Sequence, residues 1–459
     1  VAPGSAVSVG AAASTRSVSL TRAGRAAAAR AATATGLSGP AGAREPSPLA
    51  KRAQPDDFGD SPDLGENLPG VIRFSVAEIL RWRGPRAAPW PPQREDNIPL
   101  FEYPRNGQNQ ITWEQNGLAQ LVPKTYLGDE NVDLWFKLMA EDPERSPLRD
   151  AAFFASLGDD VHMFSAFFLT KLMEAPLSGD EGKRLAFERV ARWTSKPSGG
   201  AVDIFGKQLL VMPVFEDYHW SLAILCHPGE LACVARTRLG SDVMEIDGEA
   251  DAQPRPCLLL LDSGGGNGVA PISRYVRTWL ELSYQRQFKE PLELTTSTRD
   301  ARADLPAVAL DVPQQTNSYD CGLFMLRFAE VFARRFLDGD IVVDQTFVDA
   351  ALCGERVVDF AGVDFQSLRA EMWVVGRELS LENGFVVPPF ADVARAWHST
   401  PNALKRSAPT APTSRRTSPR LARSTSAATA ASPAEPRSPA GDDRAPTTAT
   451  PPRRTSPRF

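Results

Sequence analysis

Apolar positions recur through the middle of the chain with a period that changes, and each change marks an element. Leu127, Val132, Trp135, Phe136 and Met139 fall at helical spacing, which predicts a helix over Leu127–Met139. Phe164, Phe167, Phe168 and Leu172 predict a second over Val161–Met173. The period then shortens. Lys207–Phe215 and His219–Cys226 read as strands on either side of the acidic turn Glu216-Asp217. Cys257–Asp262 is nearly all leucine, which predicts a strand buried on both faces. Ile272, Val276, Trp279 and Leu280 mark another helix, and Leu305–Val312 a fourth strand. After Cys321, the residues Phe324, Phe328, Phe332 and Phe336 stand four apart and predict the strongest helix of the chain. Strands grouped in mid-chain and flanked by helices point to an α+β domain.

No such period runs through the ends. Residues 1–66 are mostly Ala, Ser, Arg, Gly and Pro and cannot bury enough apolar surface to offset the entropy of ordering, so a disordered basic extension is expected. The stretch before Glu45 holds no acid and is rich in Arg, Ser and Ala, as organellar transit peptides also are. Residues 67–98 read as a Pro-rich linker, 99–398 as the folded domain, and 399–459 as a disordered Pro/Ser/Thr/Arg-rich tail. Arg-Arg-Thr-Ser-Pro-Arg occurs at 415–420 and again at 453–458, a pattern suited to proline-directed phosphorylation or to a nuclear address.

Composition sharpens this layout. Five cysteines in 459 residues exclude a disulfide-stapled scaffold, and no apolar run approaches the ~18 residues of a membrane span. Residues 1–52 carry +6 and residues 400–459 carry +8, so the chain's net −5 leaves −19 on residues 53–399. An acidic body argues against a nucleic-acid-binding core and suits a basic partner or simple solubility.

The chemistry is bounded by scarcity, since the only histidines are His162, His219, His227 and His398. His219 opens a predicted strand and Asp262 closes the next, so both belong at a sheet rim, where the carboxylate can fix the imidazole tautomer. Cys321 starts the strongest helix after the turn and cap residues Asn317-Ser318-Tyr319-Asp320, and a helix N-terminus favours the thiolate. Gly322 permits close approach, and Gln315 can supply an amide donor beside the Cys321 N–H as an oxyanion hole. Taken singly, each has a plainer role: Cys321 a buried hydrophobe, His219 a core residue, Asp262 a turn acid, Gln315 a surface amide. Cys226, His227, Cys233 and Cys257 fit no standard zinc spacing, so no metal is expected. Gly264-Gly265-Gly266-Asn267-Gly268 lacks the Lys-Ser/Thr of a phosphate loop and reads as a flexible turn.

Three segments together resemble one family. Pro313-Gln314-Gln315-Thr316-Asn317-Ser318-Tyr319-Asp320-Cys321-Gly322 resembles the nucleophile segment of the Ulp/sentrin-specific cysteine proteases, which remove SUMO. His219-Trp220-Ser221-Leu222-Ala223-Ile224 and Cys257-Leu258-Leu259-Leu260-Leu261-Asp262-Ser263 resemble that family's His-Trp segment and its strand ending in Asp-Ser, in the family's order. The likeness covers about residues 99–390 and includes Tyr126-Leu127-Gly128-Asp129, similar to a substrate-facing Trp-Leu-Asn-Asp element.

The resemblance implies a papain-like α+β fold of the Ulp/adenain type, with a central mixed sheet flanked by helices. It implies Cys321 as nucleophile, His219 as base and then acid, Asp262 orienting His219, and Gln315 at the oxyanion. Trp220 and Tyr126 would wall a tunnel for the modifier's Gly-Gly tail, with Asp129 also on the substrate side. The implied activity is hydrolysis of the (iso)peptide bond after that Gly-Gly, without a cofactor, by a nuclear or cytoplasmic monomer that binds SUMO or a SUMO-like modifier and its conjugates, and neither nucleic acid nor membrane. The same chemistry on another ubiquitin-like modifier, acyl transfer, and a non-catalytic modifier-binding module stay open as alternatives. The acidic insertion Gly229–Pro256, with Glu245, Asp247, Glu249 and Asp251, resembles the branch that trims poly-SUMO chains.

Overall fold

The structure is a computed structural model that describes residues 71–81, 98–105, 110–151, 154, 157–194, 202–238, 253–265 and 268–399. Its strands are β1 (Ile72–Arg73), β2 (Pro99–Tyr103), β3 (Ile111–Glu114), β4 (Val161–Met163), β5 (Leu209–Glu216), β6 (His219–Cys226), β7 (Cys257–Leu261), β8 (Thr296–Ser297), β9 (Leu305–Ala309) and β10 (Phe385–Val386). Six of them form one mixed sheet in the order β4-β5-β6-β7-β9-β8. The centre, β5-β6-β7, is antiparallel, while β4 runs parallel to β5, and β9 runs parallel to both β7 and β8.

Alternation along the central strands divides the core into two. Leu222, Ile224 and Cys226 of β6, with Leu259 and Leu261 of β7, pack on the face covered by the Cys321–Leu337 helix. Ala223, Leu225, Leu258 and Leu260 pack on the other face, with Ile272, Val276, Trp279 and Leu280 of the Val269–Phe288 helix. Both faces of β7 are therefore apolar because both are covered, as its leucine run predicts. The expected α+β architecture, a mixed sheet between helices, is present. Phe328 and Phe332 are fully buried in the Cys321 helix, each worth on the order of 2–3 kcal/mol of apolar burial.

The strands at 219–226 and 257–261, and the helices after Asp129 and Cys321, lie within two residues of their expected bounds. Val161–Met173 differs. It opens as β4, turns, and becomes helical only over Phe168–Met173, with Phe167 facing solvent. Asp133 forces the turn by accepting the Ala166 N–H at 2.6 Å and the Ser165 hydroxyl at 3.0 Å.

The fold also begins earlier than the expected start at Pro99. Within the expected linker, β1 pairs with β10, and a helix over Val76–Arg81 buries Ile79. Ser75 and Glu78 cap that helix reciprocally: the Glu78 N–H donates to the Ser75 hydroxyl, and the Ser75 N–H donates to Glu78 Oε2. The insertion after β6 starts with a helix over Leu231–Arg238, and its four named acids lie outside the described residues, as do both tails and the repeated Ser-Pro motif.

Candidate active site

β5 and β6 join through a two-residue turn, Asp217-Tyr218, in which both residues have positive φ, 51° and 61°. That is the geometry whose twist matches a right-handed hairpin. It fixes the pairing Glu216↔His219 and sets the imidazole at the sheet rim. On the other side, β6 and β7 pair Leu222 with Leu261. Continuing this register past the last pair sets Gly264 opposite His219, with Asp262 its diagonal neighbour. His219 Nε2 lies 2.5 Å from Asp262 Oδ1, and the same oxygen accepts the Gly264 N–H at 2.9 Å. A Cβ on Gly264 would stand 2.6 Å from His219 Cε1, so only glycine lets the ring lie against this backbone. In the sequence, Gly264 reads only as part of a flexible turn. The strand register was the signal that could have found it.

Cys321 arrives from the opposite direction. After β9, the chain returns along the end of β7, where the Gln315 N–H donates to Ser263 O at 2.9 Å. Ser263 Oγ donates to Gln315 Oε1 at 2.7 Å, and Gln315 Nε2 donates to Asn317 O at 2.7 Å, leaving one amide hydrogen for another acceptor. Asn317 Oδ1 then takes the N–H groups of Tyr319 and Asp320, which turns the chain into the helix. Asp320 is the N-cap residue, yet its side chain does not cap; it is buried against Arg369. The Asp320 carbonyl takes the N–H groups of Leu323 and Phe324, so those of Cys321 and Gly322 are the first-turn donors outside the helical ladder.

The two approaches meet at His219. Burial pulls its pKa down, but the hydrogen bonds to Asp262 and Cys321, and the charges of both, outweigh burial and push it up to about 9. With Nε2 on Asp262, Nδ1 is the nitrogen left for the sulfur. With its pKa raised to about 9, the imidazole is protonated near neutral pH, held between Asp262 and Cys321.

Cys321 is 1% exposed, so whatever reaches it must be thin. Trp220 is buried beside it, its indole N–H donating to Leu127 O at 2.9 Å. A Cβ on Gly322 would stand 2.8 Å from Leu127 Cβ and 3.3 Å from Trp220 Cδ1, so Leu127 and Trp220 close on the helix start as far as glycine allows. Of the expected site residues, the structure thus gathers His219, Asp262, Gln315, Cys321 and Trp220. Tyr126 is half-buried and next to Leu127 in the chain; Asp129 opens the following helix, its carboxyl pushed up by burial against a backbone hydrogen bond that lowers it.

Cys226, Cys233 and Cys257 are apart from this rim. Cys226 and Cys257 are cross-strand partners inside the sheet, while Cys233 is exposed.

A Cys–His–Asp constellation at a sheet rim, with the thiol at a helix start, is the arrangement of thiol hydrolases. Residues 292–358, which include Gln315 and Cys321, match the Ulp1 protease family, C-terminal catalytic domain. The sequence is 32% identical over 233 residues to the probable ubiquitin-like-specific protease 2B of Arabidopsis thaliana, covering 50% of this chain and 22% of that protein. It is 28% identical over 250 residues to ubiquitin-like-specific protease 2 of Schizosaccharomyces pombe, covering 51% of this chain and 34% of that one. The chain thus spans well under half the length of these relatives. A solved structure of a de-sumoylating protease aligns with a TM-score of 0.38 at 18% identity, over 66% of this chain and 99% of that one. Over these segments the chain is similar to the Ulp/sentrin-specific cysteine proteases.

Proposed function

We propose that this chain hydrolyses the peptide or isopeptide bond that follows the C-terminal Gly-Gly of a SUMO-type modifier. The Cys321 thiolate attacks the terminal glycine carbonyl carbon. The oxyanion that forms is met by the Cys321 N–H and the remaining Gln315 amide hydrogen. His219, protonated and anchored by Asp262, gives its Nδ1 proton to the leaving amine as the C–N bond breaks, which leaves a thioester on Cys321. The neutral imidazole then takes a proton from water as the hydroxyl adds to the thioester, and the C–S bond breaks to release the carboxylic acid, which gives its proton to solvent, leaving the sulfur and the protonated imidazole as they began. No step calls for a cofactor.

The observation that carries this reading is the 2.5 Å contact of His219 with Asp262 at the sheet rim, beside a buried Cys321 whose helix start is closed on by Leu127 and Trp220. A side-chain-free Gly-Gly segment is the polypeptide stretch that threads between such walls. The relatives above, named as ubiquitin-like-specific proteases, support the modifier class. The insertion after β6 supports a chain-trimming role.

The test is release of a fluorophore from the C-terminus of SUMO, ubiquitin and other ubiquitin-like modifiers. Turnover of the SUMO substrate, lost in Cys321→Ser, is expected. Turnover confined to a different modifier would replace the substrate. Tight modifier binding without turnover by the wild-type chain would replace the enzyme with a binding module.

A further inference from the structure

Among the buried charges outside the catalytic constellation, Arg369 stands nearest the nucleophile segment. Arg369, the second residue of the Leu368–Glu382 helix, is as inaccessible as the core and pairs with Asp320 Oδ1 through Nη2 at 2.7 Å. Asp320 is otherwise saturated, its Oδ2 accepting from Asn317 Nδ2 and Gln366 Nε2, both at 2.8 Å. The guanidinium does not stop at the carboxylate. Nη2 also donates to Thr125 O at 2.7 Å, and Nη1 donates to Gln120 O at 3.0 Å, with Val122 O and Thr125 Oγ1 at 3.4 Å.

Those acceptors belong to the segment that runs straight into Tyr126 and Leu127. Leu127 holds the Trp220 indole and abuts Gly322, while Asp320 immediately precedes Cys321. One planar fork therefore bridges the residue before the nucleophile and the strip of chain that forms the channel wall. Lysine, a single-headed point charge, can satisfy Asp320 but cannot reach three carbonyls with fixed geometry.

We propose that Arg369 is a positioning residue that sets the distance between the Cys321 sulfur and the Leu127–Trp220 wall, so that a threaded Gly-Gly carbonyl arrives within attacking range. The proposal rests on the catalytic reading above and assigns the alignment to a residue 48 positions beyond the nucleophile.

The test uses the full chain and Arg369→Lys, with the charge-free pair Asp320→Asn/Arg369→Gln as the second variant should the first fail to fold. Three quantities are read: kcat on the fluorogenic modifier per folded molecule, the rate at which iodoacetamide alkylates Cys321, and amide exchange in segments 120–127 and 315–322. The bridge predicts that kcat falls about tenfold to a hundredfold, the scale of a misplaced reacting group. Alkylation by the small, unthreaded reagent stays within about twofold, because the His219–Asp262 pair beside the sulfur makes no contact with Arg369. Exchange rises in both segments together. A kcat within about twofold of wild type per folded molecule would make the pair a stability device alone. A parallel loss of alkylation would place the effect on the thiol and equally overturn the proposal. Unchanged exchange in both segments would remove the bridge, whereas absence of turnover in the wild-type chain would remove the proposed activity itself.

Discussion

The rim of the sheet and its interior hold the same side chains in opposite states. At the rim, burial acts on His219 too, but Asp262 and Cys321 overrule it and the pKa climbs to about 9. Elsewhere, burial acts on His227 unopposed and on His162 with the help of Lys207, and both fall to about 4. The cysteines divide in the same way. Cys226 and Cys257 face each other between β6 and β7, where burial pushes the Cys226 thiol far up, and a protonated, inert sulfur results. Cys321 is hardly more exposed, yet it meets an imidazole and a helix N-terminus. Depth does not distinguish the two regions. What distinguishes them is whether a partner charge arrives with the burial.

The largest effect expected from breaking this contrast is that of Cys321→Ser, which should lower turnover of the modifier substrate by about a thousandfold or more while the circular dichroism spectrum is kept. Next comes Asp262→Asn, which leaves the imidazole without its anchor. By analogy with other triads, kcat should fall about a hundredfold to ten-thousandfold, with modifier binding measured by calorimetry nearly unchanged. Gly264→Ala is subtler: it places a methyl 2.6 Å from His219 Cε1, and a ring pushed off line should lower kcat about tenfold to a hundredfold.

Stability against pH should run in opposite directions for the two regions. The His219 pKa is raised, from 6.5 to about 9, so the stability that its partners supply is complete below 6.5 and lost as pH rises through about 9. The denaturation gap between the wild type and Asp262→Asn should therefore narrow on the alkaline side. For His227 the shift is downward, from 6.5 to about 4, so its neutral burial stabilises fully above 6.5 and ever less as pH falls toward 4. His227→Asn, which tolerates the positive φ of 48° there, should flatten that acid limb. The smallest effect on turnover is expected from Cys226→Ser. The melting temperature should drop by a few degrees for a buried hydroxyl, with kcat per folded molecule within about twofold of wild type.

How far the sequence could be read follows from what each feature depends on. His219 and Asp262 were legible because each ends an apolar run, and Cys321 because it starts the clearest helix. These are local signals. The Val161–Met173 segment misled because Phe164, Phe168 and Leu172 bury into one core at helical spacing although Val161 of β4 and Ala166 of the turn bury into the other. The strand and short helix at 72–81 were hidden because neither element is long enough to show a period; both gain their stability from docking on chain some 300 residues away, at β10 and the Phe390–Ser399 helix. Arg369 had no local signal at all, since an arginine near a helix start looks solvent-facing until the carbonyls it serves are folded onto it.

The most direct measurement is to treat the full chain with SUMO carrying a C-terminal electrophile and to map the adduct by mass spectrometry. The account predicts a single adduct on Cys321 that disappears in His219→Ala, with the exposed Cys233 and Cys353 unmodified. An adduct on Cys233 or Cys353 with Cys321 untouched, or labelling of Cys321 that is indifferent to His219, would contradict it.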